Sequence, residues 1–155
     1  EPTVEEIEKS IFDRDLNAFS EIVFCGYGEP TERLSDMLSV CKKIRERSDI
    51  KIRVNTNGHS DLINSRDTSA EFKGLVDVVS ISLNTSDAEE YERMCVPEFG
   101  KEAHTALIRF AENVKKYVGE VVLSVVDTTI PKEDIEKCRK IAENIGVSFR
   151  LREYI

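Results

Sequence analysis

Closely spaced cysteines are missing from this sequence of 155 residues. Its four cysteines, Cys25, Cys41, Cys95 and Cys138, stand far apart. That excludes a zinc ribbon, a redox pair and a three-cysteine cluster loop within these residues. Histidine occurs only twice, and the candidate site offers too few His and Asp ligands for a divalent-metal βα-barrel enzyme. No run approaches ~20 apolar residues, so no helical membrane span is expected, and no signal-peptide pattern is visible. Positive charge is also short: 22 Lys and Arg stand against 30 Asp and Glu, a net charge of −8. A strongly acidic balance argues against non-specific binding to nucleic acid. Widely spaced cysteines at apolar helix positions, without an export signal, point to a reducing cytoplasm as the expected location.

What is present is an ordinary globular composition, 40% hydrophobic and 34% charged, of a length that fits a single domain over 1–155. Thr3-Val4-Glu5-Glu6 is a capping box and opens a helix over 3–13. A strand is expected at 21–25 and a helix over 31–47, with Leu34, Met37, Leu38, Cys41 and Ile44 on its buried stripe. A second strand follows at 51–55, then a short irregular helix within 60–73 and a third strand at 77–84. Asp87 caps a helix to about Cys95, with Glu90 at the capping-box position. A longer helix spans about 101–117. A fourth strand lies at 121–126, Pro131 opens a helix that Gly146 closes, and a fifth strand covers 147–154.

Strand and helix alternate, which predicts a parallel sheet with helical crossovers. The strands are not uniformly apolar, as they would be in a sheet covered on both faces. Arg53, Asn55, Ser80, Ser82, Asn84, Ser124, Arg150 and Arg152 fall on one parity and their apolar neighbours on the other. The expected fold class is therefore α/β, a partial, half-open TIM-type βα barrel with a polar interior. A buried polar lumen implies water or a polar ligand.

The stretch Glu21 to Thr31, EIVFCGYGEPT, runs from a strand through a glycine turn into a helix. Gly26 and Gly28 allow positive φ and close approach of backbone to ligand. Pro30 suits the first helical position and forces Glu29 to be extended. Glu29 is then an acid at a strand's C-terminal end, where βα folds bind their ligands. The other strand ends contribute Asn55 and Asn57, Ser82 and Asn84, Asp127, and Arg150 and Arg152. Together these suit a zwitterionic, ribose-bearing molecule.

At these motifs the chain resembles the core of the radical S-adenosylmethionine (radical SAM) superfamily. FCGYGEPT resembles its GGE-type motif with Tyr27 interposed, VNTNG its TNG segment, and SISLN its ribose motif. The wording of FCGYGEPTERL, NTNGH, GLVDVVSISLN and SVVD is most similar to the TatD-associated subgroup. The resemblance implies that Glu29 binds the methionine ammonium, with backbone contacts from Gly26 and Gly28 and with Tyr27 stacking or closing the turn. It implies that Ser82 contacts the ribose, and that Asn55 and Asn84 lie near the ribose or carboxylate, with Asn57 in the same loop. Val126 and Leu151 would flank the adenine. Arg150 and Arg152 are candidates for the carboxylate or an anionic substrate; facing a lumen, they need a ligand or an internal acid such as Asp127 as counter-charge. Members of the superfamily use a [4Fe–4S] cluster on a Cys-x3-Cys-x2-Cys loop to cleave S-adenosylmethionine reductively to a 5′-deoxyadenosyl radical.

That loop is not in this sequence. The resemblance therefore implies a core fragment that lacks its first strand and is inactive alone. The cluster would exist only in a full-length protein acting on an unknown small-molecule substrate. An unpaired sheet edge would invite self-association. The competing reading is a cluster-free small-molecule-binding or regulatory βα domain. Cys41, Cys95 and Cys138 are expected to be buried packing groups, Cys25 to pack or touch ligand, His59 to be a solvated loop residue and His104 to lie on the surface.

Overall fold

The computed structural model describes residues 1–154. Its order is α1 (Val4–Phe12), β1 (Glu21–Phe24), α2 (Leu34–Arg45), β2 (Lys51–Thr56), α3 (Ser60–Asn64), β3 (Val78–Ser82), α4 (Ala88–Cys95), α5 (Glu102–Val114), β4 (Glu120–Val126), α6 (Lys132–Ile145) and β5 (Ser148–Arg152). The five strands form one sheet in the order β1-β2-β3-β4-β5, and every neighbouring pair is parallel. Right-handed crossovers between sequential neighbours all return on the same side. The helices therefore stack on one face of the sheet, as in a barrel wall, and the fold is a partial TIM-type βα barrel.

The two faces follow the sequence parity. Ile52, Val54, Val79, Ile81, Leu123 and Val125 are completely buried beneath the helices. On the other face Lys51, Asn55, Glu120, Ser148, Arg150 and Arg152 are exposed. Burying one such aliphatic side chain contributes roughly 1.5–3 kcal/mol, so the helix side holds the sheet together and the other side is free to be polar.

Local chemistry sets the helix ends. Thr3 and Glu6 make the reciprocal capping box. At Asp87 only half of one forms: its carboxylate accepts from the Glu90 amide, while its own N–H donates to Thr85 Oγ1. The Glu90 carboxylate pairs instead with Arg93. The expected helix over 31–47 begins as a 3₁₀ turn, Pro30–Arg33, before α2 proper, because the extended Glu29 and Pro30 tighten its first turn. Gly146 closes α6 at φ 74°. Behind the sheet Arg45 pairs with Asp77, whose carboxylate also accepts the Ile52 N–H at 2.8 Å. The loop after β3 is tied to α6 by Thr85 and Ser86, both hydroxyls donating to Asp134. Burial raises the Asp134 carboxyl, but the hydrogen bonds from Ser86 and Thr85 outweigh it and hold it below the ordinary range.

Several expectations need correction. Asn84 lies beyond β3, at φ 66°, so the third strand is shorter than 77–84. β5 ends at Arg152 rather than Tyr154. Cys95 is half-buried. His104 is buried, and its Nε2 lies 2.9 Å from the Thr85 carbonyl; α5 turns that face inward, where the loop after β3 supplies a polar partner. No helix is long and apolar enough to cross a membrane among the described residues.

Candidate functional site

The strand-to-helix turn after β1 is built as its residues require. Gly26 and Gly28 take φ values of 135° and 97°, conformations that side chains with a Cβ rarely adopt. A Cβ at either would meet nothing within 4 Å, so the demand for glycine is conformational rather than steric. Tyr27, between them, is fully exposed at 114% and closes no core. Glu29 is extended at φ −97°, ψ 121°, as Pro30 dictates.

The Glu29 side chain turns inward to the end of β2. Its Oε1 accepts from the Thr31 N–H at 3.2 Å, the Thr31 hydroxyl at 2.7 Å and the Thr56 hydroxyl at 2.5 Å. Its Oε2 accepts from the Asn57 N–H at 2.7 Å. The loop that supplies these donors is itself fixed. Thr56 Oγ1 accepts the Gly58 N–H at 3.0 Å, and Asn57 Oδ1 accepts the His59 N–H at 2.9 Å. Gly58 sits at φ 81°, and a Cβ there would lie 2.8 Å from both Ile81 Cγ2 and Leu107 Cβ. Only glycine allows α5 to approach this closely.

Beside the loop is a cavity of about 170 Å³, lined in part by Asn57, His59, Ser82, Asn84, Tyr91 and Phe99. His59 is not solvated: it is 5% exposed, its Nε2 lies 3.0 Å from the Tyr91 hydroxyl, and Tyr91 and Phe99 meet it edge-on. Burial lowers the His59 pKa, partly opposed by the Glu29 charge, and burial pushes the Tyr91 phenol up. Tyr91 therefore keeps its proton beside a neutral imidazole, and the tautomer of His59 sets which of the two donates. Asn84 Nδ2 donates to Cys95 Sγ at 3.3 Å. The desolvation and the aromatic neighbours come from α4 and the segment after it, which the loop sequence NTNGH does not reveal.

The uncovered face brings distant residues into register. Asn55 pairs with Ser80, which pairs with Val122 and then Ser148. The next row is Ser82, Ser124 and Arg150 on three adjacent strands, and the following pair is Val126 with Arg152. Ser124 is 2% exposed and thus buried by its neighbours. Arg53, expected in the lumen, pairs there with Glu21 at 3.0 Å, an interior acid the strand pattern did not single out. Arg150 and Arg152 are exposed, and no ion pair holds either among the described residues. Asp127 is not their counter-charge: its carboxylate accepts from the Thr128 N–H, and both guanidiniums lie on exposed residues.

The predicted residues thus divide. Glu29, Asn57, Ser82 and Asn84 converge on the ends of β1, β2 and β3. Gly26, Tyr27 and Gly28 form the outer turn, Asn55 lies one step down the open face, and Arg150 and Arg152 stand across it on the edge strand. Thr31, Thr56 and Tyr91 were not singled out from the sequence. Thr56 did carry a signal, as the polar residue ending the apolar parity Ile52, Val54. A separate apolar groove of about 470 Å³ lies between α1, β1 and α2, with Ile7, Ile11, Val23 and Met37 in its walls; exposed Cys25 lies at its rim.

The cysteines do not fit an iron–sulfur cluster. Among the described residues no three His, Cys, Asp or Glu side chains are grouped to hold a metal ion. Burial pushes the Cys41 and Cys138 thiols up to about 12, the reverse of what a thiolate ligand needs.

No family model matches the chain, and no curated protein does. Solved structures do. Streptococcus suis SuiB bound to S-adenosylmethionine superposes with a TM-score of 0.72 at 17% identity, over 99% of this chain and 34% of that one. SuiB bound to the precursor peptide SuiA superposes with a TM-score of 0.70 at 15% identity, over 99% of this chain and 33% of that one. The chain spans about a third of the length of these structures. At such identities the likeness is one of fold alone, a partial βα barrel with a parallel sheet.

Proposed function

We propose that this chain is the S-adenosylmethionine-binding part of a radical SAM enzyme, of the TatD-associated subgroup that its motif wording resembles. The observation that carries the proposal is the Glu29 carboxylate, held at a strand end with one oxygen, Oε2, engaged by a single N–H. A carboxylate oxygen has room for more than one donor, and a primary ammonium is a ligand of matching charge. In this reading Glu29 takes the methionine ammonium and the backbone at Gly26 and Gly28 lies along the methionine. Ser82 takes the ribose, with Asn55, Asn57 and Asn84 around it. Val126 and Leu151 flank the adenine, and Tyr27 closes over the turn. Arg150 and Arg152, exposed on the edge strand, offer charge to the methionine carboxylate or to an anionic substrate.

The [4Fe–4S] cluster that would supply reductive cleavage of the cofactor needs cysteines other than the four here, so that chemistry belongs to the longer protein. Binding is the share of the reaction assigned to these residues. The test is calorimetric titration of the full-length, iron-reconstituted protein with S-adenosylmethionine. Loss of one charge-assisted contact predicts at least about tenfold weaker binding in Glu29→Ala. Equal affinity for the variant and the parent would refute the role given to Glu29.

A further inference from the structure

We propose that Thr31 and Thr56 are positioning residues that orient the Glu29 carboxylate for a primary ammonium ligand. This deepens the cofactor-binding reading above and rests on it. The asymmetry of the hydrogen bonds is the evidence. Three donors converge on Oε1, two of them threonine hydroxyls, whereas Oε2 meets one backbone N–H. A glutamate carboxylate otherwise turns broadly about its terminal torsion. Crowding one oxygen with donors fixes that torsion and leaves acceptor capacity on the other oxygen.

The direction of the Thr56 hydroxyl is determined as well. Its oxygen receives the Gly58 N–H at 3.0 Å, so its own proton is given to Glu29. Both threonines are buried, Thr31 at 0% and Thr56 at 4% exposure. An unpartnered hydroxyl there would be costly, so each stays committed to the carboxylate. Gly58, pressed between Ile81 and Leu107, keeps the loop from retreating. The arrangement is preorganised: the acid is aimed before any ligand arrives, and binding need not order it.

A purely structural alternative makes the same contacts mere loop closure, with Glu29 capping the 3₁₀ turn. The two accounts differ in whether the threonines act on the ligand's amine. The test uses the full-length, iron-reconstituted protein and two probes: S-adenosylmethionine, and its analogue with hydrogen in place of the α-amino group. Thr56→Val and Thr31→Val are each expected to weaken S-adenosylmethionine about tenfold and to leave the analogue within about twofold, with Thr56→Ser restoring the parent affinity. Equal losses for both probes, or none for either, would overturn the positioning role. If Glu29→Gln abolishes the preference for the amine while both threonine variants retain it, only the threonine proposal falls. If Glu29→Gln leaves that preference intact, the ammonium reading falls and takes this proposal with it. Should Thr56→Val fail to fold, Thr31→Val decides by the same ratio, since it removes one hydroxyl donor to Oε1 and keeps the N–H.

Discussion

The two ends of the open face are built on opposite plans. At the β1–β2 end, Glu29 is gripped by Thr31, Thr56 and the Asn57 amide, and the loop beneath it is locked by Gly58 against α5. At the β4–β5 end, Arg150 and Arg152 stand exposed on an edge strand. The same sheet thus presents one acid with almost no freedom and two cations with a great deal. The clamped end suits recognition of an invariant group. The open end suits a ligand portion that varies, or a charge completed by another segment. A long exposed side chain loses rotamer entropy whenever it is ordered, so under the proposed cofactor-binding function the arginines are expected to contribute less to affinity per contact than the fixed acid.

The comparison is broken most severely at Gly58. Gly58→Ala places a Cβ 2.8 Å from Ile81 Cγ2 and Leu107 Cβ and strains a backbone at φ 81°. A loss of about 2–3 kcal/mol is expected, read as a lower denaturant midpoint. An unchanged midpoint would mean that the clamped end is less rigid than its contacts imply.

A smaller effect tests the buried imidazole beside the clamp. His59 has its pKa lowered in the fold by burial, so below about 6.5 the unfolded chain binds the proton more readily than the folded one. Its contribution to stability is fully present above the unfolded value and is lost as pH falls towards the folded one. Melting curves between pH 7 and 5 should show this decline in the parent and a shallower one in His59→Gln. Parallel curves would remove His59 from the account.

The least effect is expected at the open end. Arg150→Ala should change stability by no more than about 0.5 kcal/mol, as for an exposed residue without a partner. Its affinity for S-adenosylmethionine should fall only about two- to fivefold. A loss as large as that of Glu29→Ala would erase the distinction between the two ends.

Much of this was legible in the sequence because it depends on neighbours along the chain. The parity of Ile52, Val54 against Arg53, Asn55 marks two faces, since side chains alternate along a strand. Gly26, Gly28 and Pro30 specify the turn that presents Glu29, because φ is restricted locally at each position. What escaped depends on contacts between elements. His59 reads as a loop residue until α4 brings Tyr91 to its imidazole. His104 reads as surface until the loop after β3 offers it the Thr85 carbonyl. Glu21 and Arg53 meet only because β1 and β2 pair in register.

By itself, then, the sequence determined the alternating βα order, the polar and apolar faces and the acid at the end of β1, all set by local sterics and periodicity. The tertiary structure alone decided that Thr31 and Thr56 hydrogen-bond that acid, and that Ser82, Ser124 and Arg150 share one row. It also left both arginines exposed on the edge strand. Burial and strand register are properties of assembled elements, and no single segment of the chain carries them.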